Sequence, residues 1–210
     1  MKGFSVRLMK TFSVMLLACA IMLPFSAKAD TVSMTFTGVN GQIDNGYYID
    51  PYMATVNGVQ GTEIWCVDFN HHVNFGDTWT ANVTPVSASS SNTYLNDLVK
   101  YEEMAWLVIQ FPSQDSTNKA AIQWVIWDIS SGLDHSSYYP TEYAYWFKQT
   151  QANYGTGNYS DWQILTDINH ERQEFLVDAI SVPEPSTLPL LVSGLVGLVG
   201  FRKKFRVNPN

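Results

Sequence analysis

Two residues near the middle of the chain could react with each other. Beyond residue 29 the only cysteine is Cys66, so no internal disulfide can form there. Gln123 is the one amide in the apolar run 120–127, which predicts a buried helix. A buried carboxamide without partners costs on the order of 1–3 kcal/mol, so we expect Gln123 to be hydrogen-bonded or consumed. A cysteine thiolate that attacks such a carboxamide expels ammonia and leaves a thioester, which an amine or hydroxyl can later open.

The residues around both positions resemble the paired motifs of bacterial surface thioester domains. The motifs are Trp65-Cys66-Val67-Asp68 and Ile122-Gln123-Trp124-Val125-Ile126-Trp127. In that family an aromatic or leucine residue precedes the Cys, and the Gln lies in an apolar-Gln-x-x-apolar-Trp segment. The resemblance implies a crosslink between Cys66 and Gln123. It also implies a covalent adhesin, which traps a nucleophile on a surface partner.

Both residues also have a simpler interpretation. A lone cysteine is often a small buried hydrophobic residue, and a helical glutamine often bonds to the backbone. On a strand, Asp68 would share one face with Cys66, while Trp65 and Val67 would share the more apolar face. A carboxylate beside the sulfur disfavours the thiolate, so we do not expect Cys66 to be a freely reactive thiol.

The histidines and the aromatic residues give weaker signals. On a continued strand His71 and His72 would face opposite sides, which suits no single metal, although one of them could shuttle protons near Cys66. We predict no metal and no cofactor. The Trp and Tyr residues all lie between Tyr47 and Trp162. They could build the core or stack on sugars, with residues 138–146 as the best exposed platform.

The sequence gives little support for an enzyme. It has no nucleophile elbow, no phosphate-binding loop and no cluster of metal ligands. We therefore predict a non-enzymatic protein without catalytic residues. The prediction carries two alternatives: a covalent adhesin that uses the thioester, or a polysaccharide-binding or structural matrix module without one.

Residue periodicity predicts an α+β fold for the part of the chain that carries these residues. Alternation of period two gives way to helical spacing in the middle and then returns. We expect strands over 31–39, 46–56, 61–69 and 78–83, helices over 94–110, from Asp115 or Ser116 to about 130 and over 138–154, and strands over 162–166 and 173–180. This pattern predicts antiparallel, barrel-like strands that pack on about three helices.

The C-terminal residues form a tag, a short apolar run and a basic cluster. The run Leu188–Phe201 is shorter than a full bilayer span, and the basic residues would stay cytoplasmic. This order resembles the PEP-CTERM sorting signal of exopolysaccharide-producing Gram-negative bacteria. The resemblance implies recognition by exosortase, a membrane transpeptidase, and then removal of a transmembrane anchor. The tag residues are Val182, Pro183, Glu184 and Pro185, and the basic residues are Arg202, Lys203, Lys204 and Arg206.

The N-terminus completes the domain division. Residues 1–29 have a basic start, an apolar core and a small-x-small site at Ala27–Ala29, which predicts a signal peptide. We therefore divide the chain into a signal peptide (1–29), an exported domain (30–181) and a sorting tail (182–210).

The exported domain carries four basic and eighteen acidic residues, a formal charge of −14. Such a charge argues against nucleic acid as a partner. We expect a cell-surface or matrix location, and an extracellular polysaccharide or a surface nucleophile as partner.

Overall fold

The exported domain folds as a closed β-barrel with a helical layer. A computed structural model of the chain describes residues 31–88 and 92–178. The predicted signal peptide, residues 1–29, and the predicted sorting tail, residues 182–210, lie outside these ranges. The strands are β1 (Thr31–Val39), β2 (Ile43–Asp44), β3 (Tyr47–Tyr48), β4 (Tyr52–Val56), β5 (Val59–Cys66), β6 (Thr78–Pro85), β7 (Trp162–Asp167) and β8 (Phe175–Asp178). Across the described ranges the α-helices are α1 (Leu98–Gln110), α2 (Ser116–Ser131) and α3 (Pro140–Asn153).

Six strands form the barrel in the order β1-β4-β5-β8-β7-β6, and β6 closes it by pairing with β1. Every pairing is antiparallel. The remaining strands, β2 and β3, form a small separate hairpin. The predicted α+β class, with barrel-like strands and three helices, is therefore confirmed.

Two Asn-Gly pairs fix the tightest turns. Asn45-Gly46 joins β2 to β3, and Asn57-Gly58 joins β4 to β5. In both turns the Asn and the Gly have positive φ, at 46° and 86° in the first and 48° and 83° in the second. Two central residues of positive φ define the type I′ turn, whose twist matches that of antiparallel strands.

Burial along the strands shows where the helices pack. On β1 and β4 every second residue is buried, because one face of each strand lines the barrel. On β8 three consecutive residues are buried, so both of its faces are covered. Trp65 on β5 contacts the ring of Phe111, at the end of α1, with 4.9 Å between centroids. The helical layer therefore covers the barrel beside the end of β5, where Cys66 lies.

At three elements the structure departs from the prediction by three residues or more. The strand predicted over 46–56 is split into β3 and β4, because Pro51 between them has no backbone donor. The strand predicted to reach residue 69 ends at Cys66, and Asp68 accepts the Asn70 amide in a turn. The first helix begins at Leu98 rather than at residue 94, because Asp97 caps it.

The other helix boundaries agree with the prediction. Asp115 caps α2 by accepting the amide of Asn118 at 2.8 Å, and Pro140 occupies the first turn of α3. None of the helices in the described residues has the length and apolarity needed to span a bilayer. The predicted membrane anchor over Leu188–Phe201 lies outside the described residues.

Phe175 provides a test of the barrel core. Its side chain is fully buried and contacts the rings of Tyr52 and Trp79, at 5.7 and 6.2 Å between centroids. Phe175→Ala leaves a cavity, so we expect the free energy of unfolding to fall by about 3–5 kcal/mol in urea denaturation. Phe75→Ala is the matched control, because Phe75 is 79 % exposed and its change should stay within about 0.5 kcal/mol. Equal losses for the two variants would contradict this core.

Candidate functional site

Cys66 occupies the last position of β5 and is buried. It pairs with Phe175 on β8, and its exposed fraction is 2 %. The face that Cys66 was predicted to share with Asp68 is covered in the fold, and polar groups lie around the sulfur there. Trp65 and Val67 are buried as well, since the helical layer covers the face opposite the barrel interior. Cys66 therefore lies in the core with both faces of the strand covered.

Three polar groups surround the Cys66 sulfur. The thiol donates to the backbone carbonyl of Asp68, with Sγ and oxygen 3.2 Å apart. The indole Nε1 of Trp127 lies 3.4 Å from Sγ, and the amide Nε2 of Gln173 lies 3.2 Å from it. The sulfur is thus both a donor and an acceptor inside the core. Trp127 belongs to the second sequence motif, whereas Gln173 belongs to neither.

Gln123 lies against Cys66, although 57 residues separate them in sequence. Its Nε2 donates to the backbone carbonyl of Cys66 at 2.9 Å, and its exposed fraction is 3 %. Gln123 and Trp127 are one helical turn apart on α2, so both reach Cys66 from the same helix face. The Gln123 amide, which we expected to be either hydrogen-bonded or consumed, is hydrogen-bonded to the backbone carbonyl of Cys66. The thioester between them stays a prediction.

The Cys66 thiol is a poor acid in this environment. Burial raises its pKa to about 12, and the negative charge of Asp68 adds to this, while the hydrogen bond from Trp127 lowers the pKa. The thiol therefore stays protonated at neutral pH. Any attack by this sulfur requires its proton to leave as the new bond forms.

His71 reaches this region through Asp68. Its Nδ1 lies 2.7 Å from the Asp68 carboxylate, and its ring contacts that of Tyr94. His72 is exposed. The opposite orientation of these two histidines was expected only for a strand that continues to them, and β5 has already ended at Cys66. Among the described residues no group of three or more His, Cys, Asp or Glu side chains is arranged to hold a metal ion.

A cleft of about 320 Å³ lies beside the turn that follows Cys66. Tyr94 stands in it between His71 and His170, with 4.9 Å between ring centroids on each side. Asp68 and Glu174 contribute carboxylates to the same cleft. Sequence spacing could not have predicted this group, because its members come from distant parts of the chain.

Glu174 is the more deeply buried of these two carboxylates, with 1 % of its surface exposed against 5 % for Asp68. It accepts hydrogen bonds from the Tyr94 amide and from the hydroxyls of Tyr101 and Thr166. Burial nevertheless raises its pKa from 4.5 to about 7, because desolvation of the charged form outweighs these donors.

The residues of the predicted aromatic platform, 138–146, are partly buried and partly exposed in the fold. Trp146 is buried, whereas Tyr138 and Tyr145 are 46 % and 53 % exposed. The hydroxyls of Tyr139 and Tyr143 are held by Asp44 and Asp128 respectively. Residues 138–146 therefore supply both core and surface.

A second aromatic group covers the site. Tyr47 on β3 and Phe69 both contact the Trp127 ring, at 5.7 and 5.4 Å between centroids. Asp44 holds the β2–β3 hairpin over α2 by accepting from Trp124 Nε1 at 2.7 Å. Tyr47 is 41 % exposed, so this aromatic cover over Trp127 is itself in contact with solvent.

The tail of the chain matches a known sorting signal. Residues 181–204 match the PEP-CTERM protein-sorting motif, which includes the tag Val182–Pro185 and extends to Lys204 in the basic cluster. No match was found among curated proteins or among solved structures. The motif supports processing by exosortase, a membrane enzyme, and implies export with transient membrane anchoring before cleavage. The predicted exosortase-type sorting signal is thereby confirmed.

Glu174 makes stability depend on pH in a defined direction. Its pKa is higher in the folded chain than in the unfolded chain, so the folded state binds the proton more tightly. We expect the free energy of unfolding to fall by roughly 3 kcal/mol as the pH rises from 4.5 to 7, and then to level off. Glu174→Gln should remove this dependence in urea denaturation. Glu63→Gln, at an exposed position, should retain the pH dependence. If Glu174→Gln loses stability with pH as the wild type does, Glu174 is not the source of this dependence.

Proposed function

We propose that this chain is an exosortase-sorted surface or matrix protein whose exported domain forms a Cys66–Gln123 thioester and attaches covalently to a partner. The observation that supports this most is the 2.9 Å hydrogen bond between the Gln123 amide and the Cys66 carbonyl. It places a carboxamide beside the only cysteine beyond residue 29. The sorting motif supplies the export and the membrane processing.

The bond-forming step is an exchange at the Gln123 carbonyl carbon. A bond forms between Cys66 Sγ and Gln123 Cδ, and the bond from Cδ to Nε2 breaks. The thiol proton leaves with the amide nitrogen as ammonia. In the folded domain burial raises the pKa of the Cys66 thiol, so the reactive thiolate is scarce there. We therefore expect the thioester to form during folding, as the side chain of Gln123 comes into contact with Cys66.

The second step consumes the stored electrophile. An amine or hydroxyl attacks Cδ, the bond from Cδ to Sγ breaks, and the sulfur departs as a thiolate that takes up a proton. The product is an amide or an ester to the partner, which is an extracellular polysaccharide or another surface nucleophile in this proposal. Each domain reacts once, so the role is adhesive or structural and not enzymatic.

A non-covalent function is the second candidate. The exposed rings of Tyr138 and Tyr145, together with the parallel stack of Tyr143 on Phe147 at 6.2 Å, favour it. Such rings can stack on sugar faces and bind a polysaccharide without any thioester. Cys66→Ala separates the two candidates, since it abolishes covalent capture and leaves sugar binding intact.

The thioester is tested by intact mass. We expect the exported chain, purified after natural removal of its signal peptide, to weigh one ammonia less than its sequence requires. Methylamine should replace the missing ammonia by an adduct on Gln123. Cys66→Ala and Gln123→Ala should both have full mass and form no adduct.

Gln110→Ala is the matched control for this experiment. Gln110 ends α1 and is only partly buried, and its amide bonds to Trp106 within its own helix. This variant should keep both the mass deficit and the methylamine adduct. A full mass and a free thiol in the unchanged chain would overturn the covalent proposal.

The sorting tail is tested by blocking its recognition. Replacing Pro183, Glu184 and Pro185 together by Ala removes the tag while it leaves the apolar run in place. We expect the chain to remain uncleaved in the membrane fraction of a host that contains exosortase. Immunoblotting of membrane and released fractions measures this. The same triple change should leave the mass deficit at Gln123 intact, and normal release would contradict the role of the tag.

A further inference from the structure

Gln173 touches the reacting sulfur although it belongs to neither sequence motif. Its Nε2 lies 3.2 Å from Cys66 Sγ and 3.3 Å from the backbone carbonyl of Asp68. The side chain is 94 % buried, and 107 residues separate it from Cys66 in the sequence. The carboxamide of Gln173 therefore contacts the sulfur, whereas the carboxamide of Gln123 contacts the backbone carbonyl of Cys66.

One nitrogen of Gln173 serves two acceptors. An amide NH₂ group has two protons, so one can point to Sγ and the other to the Asp68 carbonyl. That carbonyl also accepts the thiol proton. When the thiol proton leaves as part of ammonia, the Asp68 carbonyl keeps Gln173 as a donor. The buried carbonyl is thus satisfied before and after the reaction.

Gln173 and Trp127 together point two N–H groups at the sulfur, at 3.2 and 3.4 Å. Hydrogen bonds donated to a thiolate stabilise it relative to the neutral thiol. Burial acts in the opposite direction at this position. The two donors therefore supply, inside the core, part of the stabilisation that water would give to a sulfur anion.

We propose that Gln173 is a positioning residue for the thioester chemistry. It holds Cys66 Sγ beside Gln123 while the bond from Sγ to Cδ forms and the bond from Cδ to Nε2 breaks. When an amine opens the thioester, the electron pair of the broken bond stays on Sγ, and the N–H groups of Gln173 and Trp127 stabilise the departing thiolate. This role rests on the proposed Cys66–Gln123 thioester.

The first test measures how fast the thioester opens. Gln173→Leu removes the N–H donor with little change in volume. In the exported chain we expect methylamine to open the thioester about ten- to a hundredfold more slowly, as for loss of a hydrogen bond to a charged group. Intact mass against time gives the rate. Gln163→Leu, the same change on β7 away from the sulfur, should react at the wild-type rate.

The second test detects the contact between Gln173 Nε2 and Cys66 Sγ directly and does not need the thioester. In Gln123→Ala the Cys66 thiol stays free, and it is the only thiol beyond residue 29. Its S–H stretching band in the Raman spectrum reports on its hydrogen bonds. Adding Gln173→Leu should shift this band, whereas adding Gln163→Leu should not. A loss of packing alone would leave the band in place.

The outcomes separate this inference from the proposed function. If the unchanged chain has full mass, the thioester proposal fails, and with it the positioning role of Gln173; the Raman band then reports only the contact between Gln173 and the sulfur. If the thioester forms but Gln173→Leu opens at the wild-type rate with an unshifted Raman band, only the inference on Gln173 fails. If Gln173→Leu has full mass while Gln123→Ala keeps the deficit, Gln173 is the acyl partner, and both assignments are overturned.

Discussion

The hydrogen bond between the Gln123 side chain and the backbone of Cys66 joins the two layers of this domain. It ties the middle of α2 to the open end of β5, at a point where both partners are buried. A buried amide and a buried carbonyl each need a partner, so neither layer can shift without leaving one of them unsatisfied. The position of α2 on the barrel, and hence of Trp127 on the sulfur, depends on this contact. In the proposed thioester Nε2 of Gln123 has left as ammonia, and the bond from Cys66 Sγ to Gln123 Cδ replaces this hydrogen bond as the link between the two layers.

The surroundings of Cys66 combine two opposing effects. Burial and the nearby carboxylate of Asp68 keep the thiol protonated, whereas the N–H groups of Trp127 and Gln173 favour the anion. Such a sulfur is inert toward solvent, yet it has the donors that a thiolate needs at the moment of reaction. Aromatic rings from β3 and from the turn after β5 pack on Trp127, which contacts the sulfur. This arrangement is compatible with the proposed thioester, which would have to persist until a partner reaches it.

The sorting tail and the folded domain contribute different parts of the function. The PEP-CTERM motif over residues 181–204 accounts for export, membrane anchoring and exosortase processing. It does not depend on what the domain binds. The proposed chemistry around Cys66 concerns attachment after that processing. The formal charge of −14 over residues 30–181 disfavours anionic partners for this part of the chain.

Local patterns in the sequence were sufficient for much of this protein. The alternating strands and the start of α2 at Asp115 are set by neighbouring residues, so they were predicted. The sorting signal was predicted for the same reason, because a membrane enzyme recognises it as a short linear motif. The pairing of Cys66 with Gln123 came from motif resemblance.

Only the tertiary structure decided how the site is built. It showed that the hydrogen-bond partner of Gln123 is the Cys66 carbonyl, that both faces of β5 are covered at its end, and that Gln173 lies on the sulfur. These contacts span 57 and 107 residues of sequence. Their geometry is set by closure of the barrel and by the packing of α2 across its end. Neither depends on the residues adjacent to Cys66, which is why no local pattern could reveal them.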